Sequence, residues 1–132
     1  MNIKKYLLSL DKTIIWFKYQ RKIYKIESPL LGEFNVYNLM AAILTLLSLN
    51  YSIDDIIEKI KKITPIKGRM EVIKENNKYI LLDYAHTINA TQNIFKFVKK
   101  YIKKDIITVI GCAGNRYKDK RPIIMIITLN FL

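Results

Sequence analysis

The chain has 132 residues, is 51% hydrophobic and carries a net charge of +12. That apolar share suits a packed core in one ordinary domain or parts of two, and it excludes a disordered chain. A single cysteine, Cys112, excludes an internal disulfide and a cysteine-based zinc cluster and points to the cytoplasm, while lysines dispersed along the whole chain read as compositional bias, so no nucleic acid is expected as a partner.

The opening MNIKKYLLSLDK sets two lysines before an apolar stretch, but Asp11 and Lys12 cut it short of a secretory core, and no signal peptide is expected. Residues 13 to 27 are rich in β-branched and aromatic side chains and predict two strands that turn near Gln20 and Arg21. After Ser28, Pro29 and Gly32, the segment FNVYN leads into the apolar run Leu39 to Leu49. That run falls short of the roughly 20 residues needed to cross a bilayer, so a buried helix from about Asn38 to Leu49 is expected, with Asn35 or Asn38 as its cap, and no membrane partner. Ser52 with Asp55 gives a capping signal for a second helix, in which Ile53, Ile56, Ile57 and Ile60 share one face. Pro65 pushes Thr64 out of the helical region and marks a boundary.

Beyond it, strands are expected at Met70 to Ile73 and Tyr79 to Asp83, around the polar turn Glu75-Asn76-Asn77. Asn89 is a candidate cap for a helix whose apolar face is Ile94, Phe97, Val98 and Tyr101. Ile106 to Ile110 is a continuous apolar run of the kind buried in a parallel sheet, which completes a parallel βαβ unit and an α/β fold class. In such sheets ligands bind beyond the carboxyl ends of the strands, where Asp83 and the loop from Gly111 to Arg121 fall. Gly111 and Gly114 allow close backbone approach there, and Arg116, Lys118, Lys120 and Arg121 suit an anion such as phosphate; a plain solvated loop is the competing reading. Pro122 belongs to the first turn of a last helix, and the tail IIMIITLNFL leaves that helix without a polar face.

Four segments, in this order, resemble the Mur ligases, and among them the MurE-type UDP-N-acetylmuramoyl-tripeptide synthetases: GEFNVYN from Gly32, GRME from Gly68, DYAHT from Asp83, and the stretch from Gly111-Cys112 to Lys120-Arg121-Pro122. The resemblance implies that residues 1–65 are the C-terminal part of the family's central ATPase domain and 66–132 the N-terminal part of its Rossmann-like C-terminal domain. It also implies ATP and Mg2+ as cofactors. Asn35 and Asn38 match the asparagines near the adenine, Arg69 the arginine that reaches towards the phosphates, Asp83 the aspartate that accepts from the ribose hydroxyls, and His86 the histidine beside the nucleotide. Helix capping for the asparagines, an ion pair with Glu71 for Arg69, a strand-end cap for Asp83 and a structural hydrogen bond for His86 are the plainer roles, and Cys112 reads as a small packed residue.

This sequence departs from the family at Ile88 and Asn89, where proline and aspartate are usual, and at Ala113, Asn115, Tyr117 and Asp119. The loss of two acidic groups weakens metal or amine recognition in that loop. No GxxxxGK[ST] phosphate cradle occurs, and the metal ligands are expected before residue 1. The activity implied is ATP-dependent addition of diaminopimelate or lysine to UDP-N-acetylmuramoyl-dipeptide through an acyl phosphate. Its partners are the nucleotide and the UDP-muramoyl-peptide, with missing parts of the ligase on another chain, and the piece alone is expected to be inactive. A non-catalytic remnant, or a related amide ligase of the cyanophycin or folylpolyglutamate synthetase type, are the alternatives.

Overall fold

A computed structural model describes residues 1–76, 78–102, 105–112 and 118–131. Two compact units, Met1–Leu82 and Asp83–Leu132, divide the chain.

The first unit is built on an antiparallel meander of β1 (Asn2–Leu8), β2 (Thr13–Tyr19) and β3 (Lys22–Ser28), in the order β1-β2-β3. The turn between β2 and β3 falls at Gln20 and Arg21 as expected, and Gln20 takes the left-handed conformation at φ 51°. Side chains alternate across the sheet. Ile15, Phe17 and Ile26 are fully buried on the inner face. On the outer face the register sets Lys5 and Lys25 directly beside Trp16, with their ammonium groups 4.6 and 5.8 Å from its ring. On β3, Glu27 accepts hydrogen bonds from Lys25 at 2.8 Å and Lys12 at 2.9 Å, which hold its carboxyl down to about 2.

Two helices, α1 (Glu33–Ser48) and α2 (Ile53–Lys61), close the inner face. Val36, Leu39, Met40 and Ile43 from α1 and Ile56 and Ile60 from α2 form one apolar cluster with Ile15, Phe17 and Ile26. Burying these side chains is the main favourable term for the unit, at about 1.5–3 kcal/mol for each large one. Ser52 caps α2 by accepting from the Asp55 N–H at 3.3 Å, as the spacing predicted.

The start of α1 corrects the sequence reading. The helix begins at Glu33, not near Asn38, and neither asparagine caps it: the cap position is Gly32, which makes no side-chain bond. Gly32 sits at φ 90°, ψ 149°, a conformation open essentially to glycine alone, and a Cβ there would lie 2.8 Å from Cε1 of Phe34. Gly32→Ala is therefore expected to cost about 1–2 kcal/mol, read as a lower urea midpoint, and an unchanged midpoint would contradict the strained entry.

The same unit ends in the hairpin of β4 (Glu71–Glu75) and β5 (Lys78–Leu82), paired antiparallel from Glu71↔Leu82 to Glu75↔Lys78. The polar turn was expected; Asn77 lies outside the described residues.

In the second unit, α3 (Ile88–Tyr101) packs on α4 (Lys120–Phe131). Phe97 and Val98 are buried as expected, joined by Thr91 and Phe95, while Ile94 and Tyr101 are half-buried. Pro122 lies in the first turn of α4. One face of α4 buries Ile124, Ile127 and Thr128, whereas Ile123, Met125, Ile126 and Leu129 are exposed, so the apolar tail is only partly covered.

The mix of helices and strands agrees with the α/β class, but the expected parallel βαβ unit is not seen among the described residues. Both sheets among the described residues are antiparallel, β5 pairs with β4, and residues 105–112 have no strand assignment. Burial still alternates along 105–110, and Ile107 and Val109 are 94% and 96% exposed. An apolar, β-branched sequence favours a strand, but a strand also needs a hydrogen-bonded neighbour, and the described residues supply none.

Candidate functional site

The first turns of α1 bring the two expected asparagines together. Because the helix starts at Glu33, Asn35 and Asn38 are i and i+3 neighbours on one face. Asn38 Nδ2 donates to Asn35 Oδ1 at 3.1 Å, and Asn35 Nδ2 donates in turn to the Leu31 carbonyl at 2.7 Å. Asn35 is half-buried and Asn38 exposed. The inner amide is thus fixed by backbone, while the outer one keeps its carbonyl oxygen and an N–H for a ligand. Beside them Tyr6 of β1 donates to Glu33, which ties the edge strand to the helix start. Nothing in the sequence pattern singled out Tyr6, because β1 itself was not anticipated.

Arg69 stands on a separate turn of the same unit. Its N–H donates to the Ile66 carbonyl at 3.1 Å, and its side chain is exposed. Gly68 and Met70, on either side, have φ of 69° and 47°. The Gly68 N–H donates to Oε2 of Glu71 at 2.7 Å, so Glu71 acts on the backbone of this turn.

Asp83 and His86 belong to the second unit, in the segment that follows β5. Asp83 is half-buried and His86 exposed. His86 Nδ1 lies 3.1 Å from the Tyr84 carbonyl. A carbonyl can only accept, so Nδ1 carries the proton and, in the neutral ring, Nε2 is left as an acceptor. The rings of Tyr84 and His86 are tilted neighbours at 5.3 Å.

Asn89 does not cap α3. Thr87 does, with extended φ −116° and ψ 154°, its hydroxyl accepting from the Ala90 N–H at 3.2 Å. A β-branched residue adopts this extended backbone readily and Thr is a strong capping type, which places the cap two residues earlier than expected.

Of the basic loop, Gly111, the half-buried Cys112, Lys118, Lys120 and Arg121 are described; the expectations at Gly114 and Arg116 lie outside the described residues. The Arg121 N–H donates to the Lys118 carbonyl at 3.0 Å, which leads the loop into α4. Among the described residues no group of three or more His, Cys, Asp or Glu could hold a metal ion, and no helix is long and apolar enough to cross a membrane.

Comparison with known proteins gives two family matches. Residues 2–46 match the Mur ligase middle domain, and residues 68–127 match the glutamate ligase domain of Mur ligases. The chain is 39% identical over 99 residues to a UDP-N-acetylmuramoyl-L-alanyl-D-glutamate--2,6-diaminopimelate ligase of Geobacillus thermodenitrificans, covering 74% of this chain and 20% of that protein. It is 44% identical over 99 residues to the ligase of the same name in Buchnera aphidicola subsp. Baizongia pistaciae, again covering 74% and 20%. A solved ligase of that name superposes on 97% of this chain and 26% of its own, at 31% identity and a TM-score of 0.65. MurF from Acinetobacter baumannii shares the fold at 20% identity and a TM-score of 0.70, over 76% of this chain and 22% of its own. The chain spans about a fifth of the length of the curated relatives it matches.

Proposed function

The chain belongs to the Mur ligase family, and from that premise we propose that it is part of a cytoplasmic, ATP-dependent ligase that adds 2,6-diaminopimelate to UDP-N-acetylmuramoyl-L-alanyl-D-glutamate in peptidoglycan synthesis. The names of its relatives support diaminopimelate over lysine as the amino acid. In this reading residues 1–65 belong to the middle domain and 66–132 to the C-terminal domain.

ATP would transfer its terminal phosphoryl group to the glutamate carboxylate, and the incoming amine would displace phosphate from the acyl phosphate through a tetrahedral intermediate. The residues of this chain bind and orient; none forms a covalent bond. The observation that carries the reading is the amide pair at the start of α1, where Asn35 is held by Leu31 and in turn holds Asn38. An exposed amide so fixed offers a donor and an acceptor side by side, the pattern that matches an adenine edge. Arg69 would meet the phosphates, Asp83 the ribose hydroxyls, and His86 would present Nε2 beside the nucleotide. The described residues do not fit a magnesium centre, and none is assigned to one.

The chain alone is not expected to turn over, since it has no GxxxxGK[ST] loop to cradle the phosphates. The exposed Ile107, Val109 and outer face of α4 support a need for further ligase polypeptide, on this or another chain. Calorimetric titration of ATP and of adenosine tests the reading. Binding of both is expected, with adenosine affinity lost in Asn38→Ala. Absence of binding by the wild-type chain, or product formation from ATP, diaminopimelate and the muramoyl-dipeptide by this chain alone, would overturn it.

A further inference from the structure

We propose that Glu71 is a positioning residue, which holds the 66–70 turn in the shape that presents Arg69; the inference rests on the reading of Arg69 as a phosphate-binding group. Two observations converge on this turn. The Gly68 N–H donates to Oε2 of Glu71 at 2.7 Å, in the short range of a charge-assisted bond. Both neighbours of Arg69 are left-handed, Gly68 at φ 69° and Met70 at φ 47°. For glycine that conformation is free of strain, but for methionine it is not, and it persists only when the surroundings over-determine it.

Two anchors supply that determination. Met70 is 3% exposed, so its side chain is fixed by packing on one side of Arg69. On the other side the Glu71 carboxylate holds the Gly68 N–H, at a glycine where a Cβ would meet nothing within 4 Å. Glu71 is itself the first residue of β4, in register with Leu82, so the carboxylate ties the turn to the hairpin. Without it Gly68 can leave its left-handed state, and the Arg69 backbone loses its fixed approach to the ligand although the guanidinium is intact. Sequence reading offered Glu71 as an ion-pair partner for Arg69; the bond to Gly68 gives it a separate role.

The test uses the full chain and the variants Glu71→Ala, Glu71→Gln and Glu71→Asp. Amide hydrogen exchange at Gly68 needs no ligand and reads the turn directly. It is expected to rise about tenfold in Glu71→Ala and to stay near wild type in Glu71→Gln, which keeps an acceptor oxygen of the same reach. ATP affinity should fall about tenfold in Glu71→Ala, with adenosine affinity unchanged, and recover in Glu71→Gln. Should Glu71→Ala fail to fold, Glu71→Asp, whose carboxylate is withdrawn by one methylene, is expected to show the same ATP-selective loss. Unchanged Gly68 exchange in Glu71→Ala, an equal loss of ATP and adenosine, or a Glu71→Gln variant as weak as the alanine overturns the proposal. A wild-type chain that binds neither ligand overturns the nucleotide reading and with it the purpose of the turn, whereas the exchange data still decide whether Glu71 holds it.

Discussion

Phe17→Ala is expected to lower the stability of the Met1–Leu82 unit by about 3–5 kcal/mol, a large part of the roughly 5–15 kcal/mol that holds an ordinary domain together. Phe17 is fully buried at the middle of β2, where the inner face of the sheet meets α1 and α2, and its ring stacks on Tyr24 of β3 at 5.8 Å. Truncation removes the transfer free energy of the ring, leaves a cavity that strands on both sides cannot collapse, and deletes an aromatic pair. The single tryptophan, Trp16, is the next residue along the strand, so its fluorescence reports on this unit. Urea unfolding followed at Trp16 should show the loss as a lower midpoint with little change in slope. Lys18→Ala, one residue further on and exposed, should stay within about 0.5 kcal/mol. If the two variants shift the midpoint equally, the inner face is not the core described here.

Composition made this part of the fold legible, since residues 13 to 27 are rich in β-branched and aromatic side chains. In the folded strand burial then alternates, with Thr13, Ile15 and Phe17 inside and Ile14, Trp16 and Lys18 less buried. The isoleucines of α2 and the apolar face of α3 were legible from a period near 3.6. By contrast β1 was not, because Lys4 and Lys5 stand together and a register irregularity between Ile3 and Lys5 breaks the alternation that would have announced a strand. An edge strand gains from such a break, since it discourages pairing with another chain. The run at 106–110 failed in the opposite sense: its composition favours a strand, but pairing is tertiary and no local signal encodes it.

Legibility of the site followed the same division. The motifs named Asn35, Asn38, Arg69, Asp83 and His86, but the amide pair becomes apparent only when the helix start moves from Asn38 back to Glu33, which turns two candidate caps into i and i+3 neighbours. The left-handed Met70 was illegible, because a methionine carries no mark of such a backbone; its conformation comes from packing. Glu71 was noticed as a charge near Arg69, whereas its bond to the Gly68 N–H depends on a turn that only the folded chain defines.

On the proposed function, Arg69→Ala is expected to weaken ATP binding by about tenfold to a hundredfold, the equivalent of losing one hydrogen-bonded charge pair of about 1.5–3 kcal/mol. Adenosine, which has no phosphate, should bind as before, and ADP should fall between the two. The exposed position of Arg69 argues for the lower part of that range, because a solvated guanidinium is screened by salt until the ligand covers it. Arg69→Lys keeps the charge but not the planar fork, so it should recover part of the affinity and not all. Calorimetry of the three ligands against the two variants at fixed ionic strength separates these cases. A uniform loss for ATP and adenosine would assign Arg69 to the stability of the turn, and an unchanged ATP affinity would remove it from the phosphate site altogether. Either result would leave the nucleotide reading to the asparagine pair, Asp83 and His86. A selective loss, in contrast, would bring the turn before β4 and the start of α1 onto one ligand.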